Sequence, residues 1–386
     1  MKRYSSQDER FMAAALRLAK KGAGWVSPNP MVGAVIVDRE GRILAKGYHR
    51  RFGGLHAERE ALKKLNWKAP GATMYVTLEP CCHYGKTPPC TEAIIQAGIK
   101  RVVVGTLDPN PLVAGKGVKI LEEAGIQVDT GVLEEACRDL NRAFFKWVTT
   151  GLPWVLLKWA QSIDGTIATA SGHSQWISGP AALKYAHRLR ALSDAVLVGR
   201  KTAAIDNPRL TVRLMKGKDP LRVVLDTHLS LPLDRELFTT PPPTLIFTLA
   251  QDPKKTELLK RRGVEVVVLE GDTGEIPLRN VLEELGRRQI AQLLVEGGGG
   301  VITSFLKQGL AEEIHIVVAP IILGGGRPSV GNLNLERVDQ GIRLDKVTYK
   351  KLGRDLLITG RIVKTTRASS TAPNRSIGGT GPPRPP

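Results

Sequence analysis

A histidine, a glutamate and two cysteines stand close together in the first third of the chain. They belong to the segments His56-Ala57-Glu58 and Pro80-Cys81-Cys82-His83-Tyr84-Gly85-Lys86-Thr87-Pro88-Pro89-Cys90. An imidazole and two thiolates supply three ligands of a tetrahedral zinc ion and leave the fourth position to a water molecule. Zinc lowers the pKa of such a water to about 7, which makes it a nucleophile near neutral pH. His56, Cys81 and Cys90 are therefore the predicted zinc ligands.

Glu58 follows His56 closely enough to act on the same water without binding the metal. A carboxylate in this place can take a proton from the attacking water and deliver it to departing ammonia. The order H-x-E followed by P-C-x-x-C is typical of zinc deaminases that act on heterocyclic amines. The long spacing between Cys81 and Cys90 departs from the short form of this motif. The sequence thus predicts a catalytic zinc site with Glu58 as general acid and base.

A purely structural zinc site is the main alternative for these residues. Such a site uses four protein ligands, and either Cys82 or His83 could be the fourth. It has no need of Glu58, however, so the pattern favours the catalytic interpretation. In that interpretation Cys82 packs beside the site, and Cys137 is a structural residue of a later helix.

The elements that must position these residues alternate between helices and strands. Residues two apart on a helix point in nearly opposite directions, so His56 and Glu58 share a site only if it lies over the helix end. The alternation predicts a three-layer α/β/α unit with a mixed sheet. Apolar periodicity and turn residues predict helices over 8–21, 56–65, 91–97, 117–124 and 134–142, and strands over 32–37, 43–48, 74–78, 101–106 and 126–132.

A second alternating pattern follows a boundary that we predict near Thr149 to Pro153. It includes Glu296-Gly297-Gly298-Gly299-Gly300, where a strand leads into a helix whose amides could approach a phosphate. The tail over 366–386 is rich in Ser, Thr, Gly, Pro and Arg and is predicted to be disordered. The pattern predicts strands over 154–159, 195–198, 222–225, 244–247, 264–269, 292–296 and 314–318, and helices over 180–192, 253–261, 278–288 and 300–308.

Composition narrows the class of protein but does not select a ligand. No apolar run approaches the roughly 18 residues of a membrane span, and the first residues lack an apolar signal core. The four cysteines are few and clustered, which indicates a reducing compartment, and we expect a cytoplasmic protein. The formal net charge of +19 suits nucleic acid, acidic membranes or phosphorylated metabolites equally well. Because the basic residues are scattered, a solvated surface is the favoured interpretation of this charge.

Four segments of the first half resemble the deaminase half of the bifunctional RibD family of riboflavin biosynthesis. They are Asn29-Pro30-Met31-Val32-Gly33, His56-Ala57-Glu58, the Glu79 to Cys90 loop with its Gly-Lys-Thr-Pro-Pro, and Asp108-Pro109-Asn110-Pro111. The resemblance implies a cytidine-deaminase-like fold. Cys82 stands where the family usually has serine. The implied substrate-binding residues are Asn29, His49, Lys86 and Asn110, with Lys86 as a cation beside a sugar phosphate.

The second half resembles the reductase half of the same family, which is similar in fold to dihydrofolate reductase and uses NADPH. The resemblance rests on the segments 158–165, 174–178, 199–208, 296–300 and 323–326. Arg190 and Arg213 suit a sugar phosphate because a guanidinium group binds two phosphate oxygens. The implied substrate-binding residues are Ser174, Arg190, Leu210, Arg213 and Glu296, and the implied cofactor-binding residues are Ala160, Trp176, Thr202, Asp206, Gly298, Gly299 and Gly300.

The resemblance implies two consecutive reactions on one chain. Residues 1–148 would remove the ring amine of a diaminopyrimidinone ribosylamine phosphate with one zinc ion, and residues 149–365 would then reduce the ribosyl group to ribityl with NADPH. We expect phosphorylated pyrimidines as ligands, a homo-oligomer, and neither nucleic acid nor membrane as a partner. An alternative is a nucleoside or RNA-base deaminase with an RNA-binding second half, although the 5% aromatic content argues against RNA. Another is a non-catalytic nucleotide-binding protein stabilised by zinc.

Overall fold

The computed structural model describes residues 5–85, 88–271 and 274–363. Lys86 and the tail over 366–386, which was predicted to be disordered, lie outside the described residues. None of the helices within the described ranges combines the length and the apolar character needed to cross a membrane.

The first half forms a five-stranded sheet in the order β2-β1-β3-β4-β5. Strand β1 is antiparallel to both of its neighbours, whereas β3, β4 and β5 are parallel, so the sheet is mixed as predicted. Its strands are β1 (Gly33–Val37), β2 (Ile43–Tyr48), β3 (Thr73–Val76), β4 (Arg101–Val104) and β5 (Gln127–Thr130). Its helices are α1 (Ser6–Ala19), α2 (Ala57–Lys63), α3 (Cys90–Gln96), α4 (Lys116–Glu123), α5 (Glu134–Leu140) and α6 (Arg142–Thr150).

Strand β1 explains why this sheet has a helical layer on each face. All five of its residues are buried, and alternate residues of a strand point to opposite faces. Ala34 and Ile36 belong to one apolar core with residues of α2 and α3. Val35 and Val37 belong to another core with Phe11 and other residues of α1. The predicted three-layer α/β/α arrangement is confirmed.

The second half forms a nine-stranded sheet in the order β11-β10-β9-β8-β12-β6-β13-β16-β15. The strands from β11 to β13 in this order are parallel, whereas β16 is antiparallel to both β13 and β15. Its strands, with the small pair β7 and β14, are β6 (Trp154–Ser162), β7 (Thr166–Ala168), β8 (Ala195–Gly199), β9 (Leu221–Leu225), β10 (Thr244–Thr248), β11 (Val264–Val268), β12 (Gln292–Val295), β13 (Glu313–Ala319), β14 (Arg327–Pro328), β15 (Leu344–Leu352) and β16 (Asp355–Ile362). Its helices are α7 (Pro180–Leu192), α8 (Arg200–Ile205), α9 (Glu236–Thr239), α10 (Pro253–Arg261), α11 (Leu278–Arg287) and α12 (Gly299–Lys307).

Helix α6 was not predicted, and the expected boundary after residue 148 falls inside it. Two threonines followed by Gly151 and Pro153 had indicated a connecting segment. In the structure the hydroxyl groups of Thr149 and Thr150 donate to the carbonyl oxygens of Phe145 and Lys146, at 2.8 and 2.7 Å. These bonds hold both threonines in the last turn of the helix, and Gly151 ends it in a left-handed conformation.

Helix α6 also connects the two halves physically. The Arg142 guanidinium donates to the Glu313 carboxylate at 3.0 Å. The Trp147 indole donates to the carbonyl oxygen of Gly286 at 2.9 Å, and Lys146 pairs with Glu312 at 2.7 Å. Three side chains of one helix thus bind the second half, so the two sheets are held in a fixed relation to α6.

Candidate active sites

The predicted zinc ligands converge from the starts of two helices and the loop after β3. The Nδ1 atom of His56 lies 3.4 Å from the Sγ atoms of both Cys81 and Cys90, and all three ligand atoms lie within 4.8 Å of one another. A tetrahedral zinc ion with Zn–N of about 2.0 Å and Zn–S of about 2.3 Å holds nitrogen and sulfur ligands roughly 3.5 Å apart. The donor set and its spacing therefore fit zinc.

The alternative fourth ligands do not join this group. The Cys82 thiol faces the carbonyl oxygen of Leu112 at 3.8 Å, and His83 lines the adjoining cavity. Within the described ranges, the group that could hold a metal consists of His56, Cys81 and Cys90. The arrangement leaves one tetrahedral position open, which is typical of catalytic rather than structural zinc.

The three ligand groups shift one another's pKa values because they are buried close together. The hydrogen bond with the Cys90 thiol, followed by that with the His56 imidazole, lowers the pKa of Cys81 to about 4. Burial raises the pKa of Cys90 well above its usual value, and the hydrogen bond with Cys81 raises the pKa of His56. A thiolate in so enclosed a place needs a positive partner, because an unpaired buried charge is costly.

Glu58 lies beside the ligands in the first turn of α2, where His56 is the N-cap residue. Its side chain is buried, and its Oε2 atom has no hydrogen-bond partner among the described residues. Burial raises the pKa of this carboxyl group. A carboxylate with one free oxygen and a raised pKa is suited to accept and return a proton.

A cavity of about 290 Å³ adjoins the metal ligands and Glu58. Asn29, His49 and Asn110, three of the four residues predicted to hold the substrate, line it. The fourth, Lys86, lies outside the described residues. Phe144 of α6 and Asp108 also line the cavity. The sequence analysis gave them no role, since neither belongs to a motif of metal ligands.

His49 is fixed in one tautomer by its two hydrogen bonds. Its Nδ1 atom lies 3.0 Å from the carbonyl oxygen of Leu55, which can only accept, so Nδ1 carries the proton. Its Nε2 atom then accepts from the Asn29 amide at 3.3 Å. Burial lowers the pKa of His49, so the ring is neutral and orients the Asn29 side chain.

Glu79 is a further residue to which the sequence analysis assigned no role. Its buried carboxylate accepts four backbone N–H groups at 2.9 to 3.2 Å, with two bonds to each oxygen. The donors lie in the Asp108 loop and at the start of α4, namely Asp108, Gly115, Gly117 and Val118. Glu79 precedes Pro80 and Cys81, so one side chain ties the zinc-ligand loop to the loop that carries Asn110. The sequence marks Glu79 only by its position, as an acidic residue between a buried strand and a predicted metal ligand.

In the second half, Arg190 and Glu296 form a buried ion pair. The Nε and Nη2 atoms of Arg190 donate to the two carboxylate oxygens of Glu296 at 2.7 and 2.8 Å. The Nη1 atom donates to the carbonyl oxygen of Thr211 at 3.2 Å. Burial opposes ionisation of Glu296, but the Arg190 cation outweighs it and lowers the pKa of Glu296. Two predicted substrate-binding residues thus bind one another.

Two other predicted substrate residues lie on either side of Thr211, whose carbonyl oxygen accepts from Arg190. Leu210 is buried and has a positive φ of 53°. Arg213 is exposed, and its backbone N–H donates to Nδ1 of His187 at 3.0 Å. Burial, followed by the Arg190 and Arg213 cations, lowers the pKa of His187 to about 4. The imidazole is therefore neutral and accepts this bond.

Lys158 is a charged residue of this region that the sequence analysis quoted without a role. It lies on β6 near Glu296 and Arg190, and burial lowers its pKa. Lys158 could have been recognised from the sequence, because a lysine in the middle of an apolar strand seldom lacks a partner.

The predicted cofactor residues lie mainly around the start of α12. Gly298 is its N-cap, and Gly299 and Gly300 form its first turn. A side chain at Gly299 would come within 2.6 Å of the carbonyl oxygen of Pro328, so the backbone must approach closely there. The Thr202 hydroxyl of α8 lies 3.4 Å from the position of a Cβ on Gly298.

The remaining predicted reductase residues take separate positions around this region. The Ser174 hydroxyl donates to Asp206 at 3.5 Å. Ala160 lies on β6, where it pairs with Val317 of β13. Trp176 is 71% exposed, so its ring is free to contact a ligand rather than the core.

Both halves of the chain are similar to known proteins. The family model described as "RibD C-terminal domain" matches residues 153–358, and the model described as "Cytidine and deoxycytidylate deaminase zinc-binding region" matches residues 5–106. The chain is 48% identical to the riboflavin biosynthesis protein RibD of Aquifex aeolicus, over 91% of this chain and 97% of that protein. It is 39% identical to RibD of Escherichia coli, over 91% and 98%. The solved structure of Acinetobacter baumannii RibD, form 1, has a TM-score of 0.85 at 38% identity, with 93% of this chain and 99% of that chain covered.

We predict that Glu79→Gln destabilises the protein. The amide cannot accept four backbone N–H groups, and loss of bonds to a buried charge costs about 2–3 kcal/mol. Chemical denaturation would measure the free energy of unfolding. Glu123→Gln on the exposed face of α4 serves as the control, since Glu123 is exposed and pairs with Lys119 at 3.7 Å. An equal free energy of unfolding for both variants would refute the role of Glu79.

Proposed function

The chain belongs to the RibD family of bifunctional riboflavin biosynthesis enzymes, and from this membership we propose which residues perform each of its two reactions. It combines a zinc-dependent deaminase with an NADPH-dependent reductase and acts on small phosphorylated pyrimidines. The first reaction hydrolyses the ring amine of a diaminopyrimidinone ribosylamine phosphate, and the second reduces the ribosyl group to ribityl. One observation carries the assignment of the first site, namely the His56, Cys81 and Cys90 group beside the unpartnered oxygen of Glu58.

In the deaminase, His56, Cys81 and Cys90 would hold zinc, which supplies Lewis-acid activation of the attacking water. Glu58 takes a proton from the water at its Oε2 atom and delivers it to the departing ammonia. Its raised pKa supports both steps, because a proton shuttle works best when its pKa approaches the working pH. The enclosed position of Glu58 also excludes bulk water, which would compete for the proton.

The substrate is held by groups at the edge of the cavity. Asn29 presents an amide that the neutral His49 orients, and Asn110 faces the same space from the opposite loop. Lys86 would bind the phosphate, an assignment that rests on the resemblance of its loop to the family. The ring amine is thereby directed toward Glu58 and the metal ligands.

In the reductase, we assign different roles to the two arginines. The guanidinium of Arg190 is engaged by Glu296 and by the carbonyl oxygen of Thr211, so it orients Glu296 toward the substrate. Arg213 is exposed and is the stronger candidate for the phosphate. Ser174 and Leu210 complete the substrate site. NADPH would lie along Ala160, Trp176, Thr202, Asp206 and the glycines Gly298, Gly299 and Gly300.

We assign residues 1–148 to the deaminase and residues 149–365 to the reductase, with α6 shared between them. The alternative of an RNA-base deaminase is not favoured, because the second half matches a reductase domain over residues 153–358. A cytoplasmic location is proposed from the four cysteines, all of which are free thiols.

We also propose a homo-oligomer formed through β15. This strand lies at the edge of the nine-stranded sheet, and seven of its nine residues are exposed, with Tyr349 70% exposed. The outer edge of such a strand presents N–H and C=O groups that a strand of a second copy can pair with, and Val347 and Tyr349 supply exposed apolar surface beside the lysines of the strand. Light scattering should give a mass above one chain, and Tyr349→Lys should lower it. A single-chain mass for the unaltered protein at micromolar concentration would contradict the proposal.

Glu58→Gln should abolish ammonia release while zinc stays bound. The three ligands are unchanged, but glutamine cannot carry the proton, so we expect kcat of deamination to fall at least about 100-fold. Zinc content and ammonia release are the measurements. Glu60→Gln in the same helix, where Glu60 pairs with Arg50 at 3.4 Å, should remain active. Full activity of Glu58→Gln would disprove the assigned role.

Arg213→Leu should weaken binding of the phosphorylated substrate to the reductase. Loss of one charge-assisted contact worth about 1.4 kcal/mol raises KM roughly tenfold. KM for NADPH should not change. Arg209→Leu is the matched control, since Arg209 is occupied by Glu236 at 3.1 Å. An unchanged KM for the pyrimidine phosphate in Arg213→Leu would remove Arg213 from the site.

A further inference from the structure

One wall of the deaminase cavity is an irregular segment from Ala23 to Met31, which we call the pocket loop. Asn29 and Pro30 of this loop line the cavity. Its backbone makes turn-type hydrogen bonds, such as the Asn29 N–H donating to Val26 at 2.9 Å, and the Trp25 carbonyl accepts from Phe52 at 3.0 Å. Because it contains neither helix nor strand, its shape depends on what packs against it.

The pocket loop lies directly against the second half of the chain at Gly24. This glycine has a φ of 74°, and a Cβ built on it would come within 2.2 Å of the carbonyl oxygen of Ala191. Ala191 is in the last turn of α7, next to Arg190. Two backbones therefore meet here without an intervening side chain, and only glycine allows both the conformation and the approach.

A second contact joins the pocket loop to Asp194, just before β8. The Ser27 side chain faces the Asp194 carboxylate and counteracts the rise that burial causes in the pKa of Asp194. The same carboxylate accepts the backbone N–H groups of Ala291 and Gln292, each at 2.9 Å. Because these amides lie at the start of β12, Asp194 is anchored in the reductase sheet and holds a fixed position beside Ser27.

The loop is held at two further points. The Lys218 ammonium lies 5.6 Å from the centre of the Trp25 ring, a cation–π contact. At the other end, the Asn141 side chain accepts the Met31 N–H at 2.8 Å and donates to the Met31 carbonyl at 2.9 Å. Asn141 immediately precedes Arg142, which binds Glu313 of the second half. The pocket loop is therefore held by contacts of residues that precede Asn29 and of a residue that follows it.

We propose that the reductase half sets the shape of the deaminase substrate pocket, with Ala191 and Asp194 as positioning residues that hold the pocket loop and thereby Asn29. The inference rests on the proposed role of Asn29 in substrate binding. The predicted metal ligands and Glu58 lie on or next to α2 and α3 and in the loop after β3. The contacts described above are made by other parts of the chain. A disturbance of the contacts consequently weakens substrate binding and leaves the chemistry at zinc intact.

The test uses Gly24→Ala and Ser27→Ala in the full-length, zinc-loaded protein. Both should raise KM of deamination, by about tenfold for Gly24→Ala, since a small displacement of a positioning group has an effect of this order or larger. The kcat of deamination, the zinc content and the reductase activity should stay within about twofold, as positioning alone would leave them. Gly125→Ala is the matched control, because Gly125 has a φ of 78° and nothing within 4 Å of its Cβ position.

Three results would overturn the proposal. They are an unchanged KM in both variants, a loss of zinc or kcat as large as the change in KM, and an equal rise of KM in Gly125→Ala. If Gly24→Ala fails to fold, Ser27→Ala decides, since it removes one hydroxyl group and adds no atoms. Asn29→Ala, measured alongside, tests the proposed substrate role separately. If it leaves KM unchanged while the loop variants raise it, Asn29 loses its role and the part of the proposal that acts through Asn29 is overturned, whereas the influence of the reductase half on the rest of the pocket loop is upheld.

Discussion

The first half of this protein depends on bringing one imidazole nitrogen to 3.4 Å from two cysteine sulfurs in an enclosed place. Such an arrangement is unfavourable without a cation, because a thiolate, a second buried thiol and a buried carboxylate would otherwise meet with little solvent. The surrounding structure is built to maintain it. The Cys90 N–H donates to the Cys81 carbonyl at 3.0 Å, and the four amide bonds of Glu79 fix the loop that leads to Cys81. In this half, the geometry of the predicted zinc ligands therefore depends on the local fold around them.

In the second half, a buried carboxylate is stabilised by an ion pair instead of a metal. Glu296 is kept ionised beside the substrate region because Arg190 binds both of its oxygens, and Lys158 adds a further positive charge nearby. The two halves are linked by α6, which places Phe144 in the deaminase cavity and sends Arg142, Lys146 and Trp147 to the reductase. Helix α6 therefore connects the site proposed for the first reaction with the half of the chain that performs the second.

Local sequence was enough to predict that His56, Cys81 and Cys90 come together with Glu58 beside them, and to predict most of the strands. Each of these depends on residues close together in the chain, and the buried strands are apolar runs bounded by turns. Contacts between distant residues were not predictable. The position of Glu79 next to a metal ligand marks it as unusual, but which backbone amides it binds could not be predicted, and neither could the engagement of Arg190 by Glu296 rather than by a phosphate. Helix α6 was missed because its terminal threonines resemble a linker, and β15 because an exposed strand lacks a clear apolar pattern. Strand β16 was missed because Thr359, Gly360 and Arg361 interrupt its apolar run.

The most direct test of the whole account is NADPH oxidation measured with the undeaminated pyrimidine before and after a chelator removes zinc. Two consecutive sites on one chain require that oxidation stops without zinc and returns when zinc is restored. The deaminated pyrimidine should be reduced at the same rate in both states. Undiminished NADPH oxidation by the zinc-free protein with the undeaminated pyrimidine would contradict the proposed order of reactions.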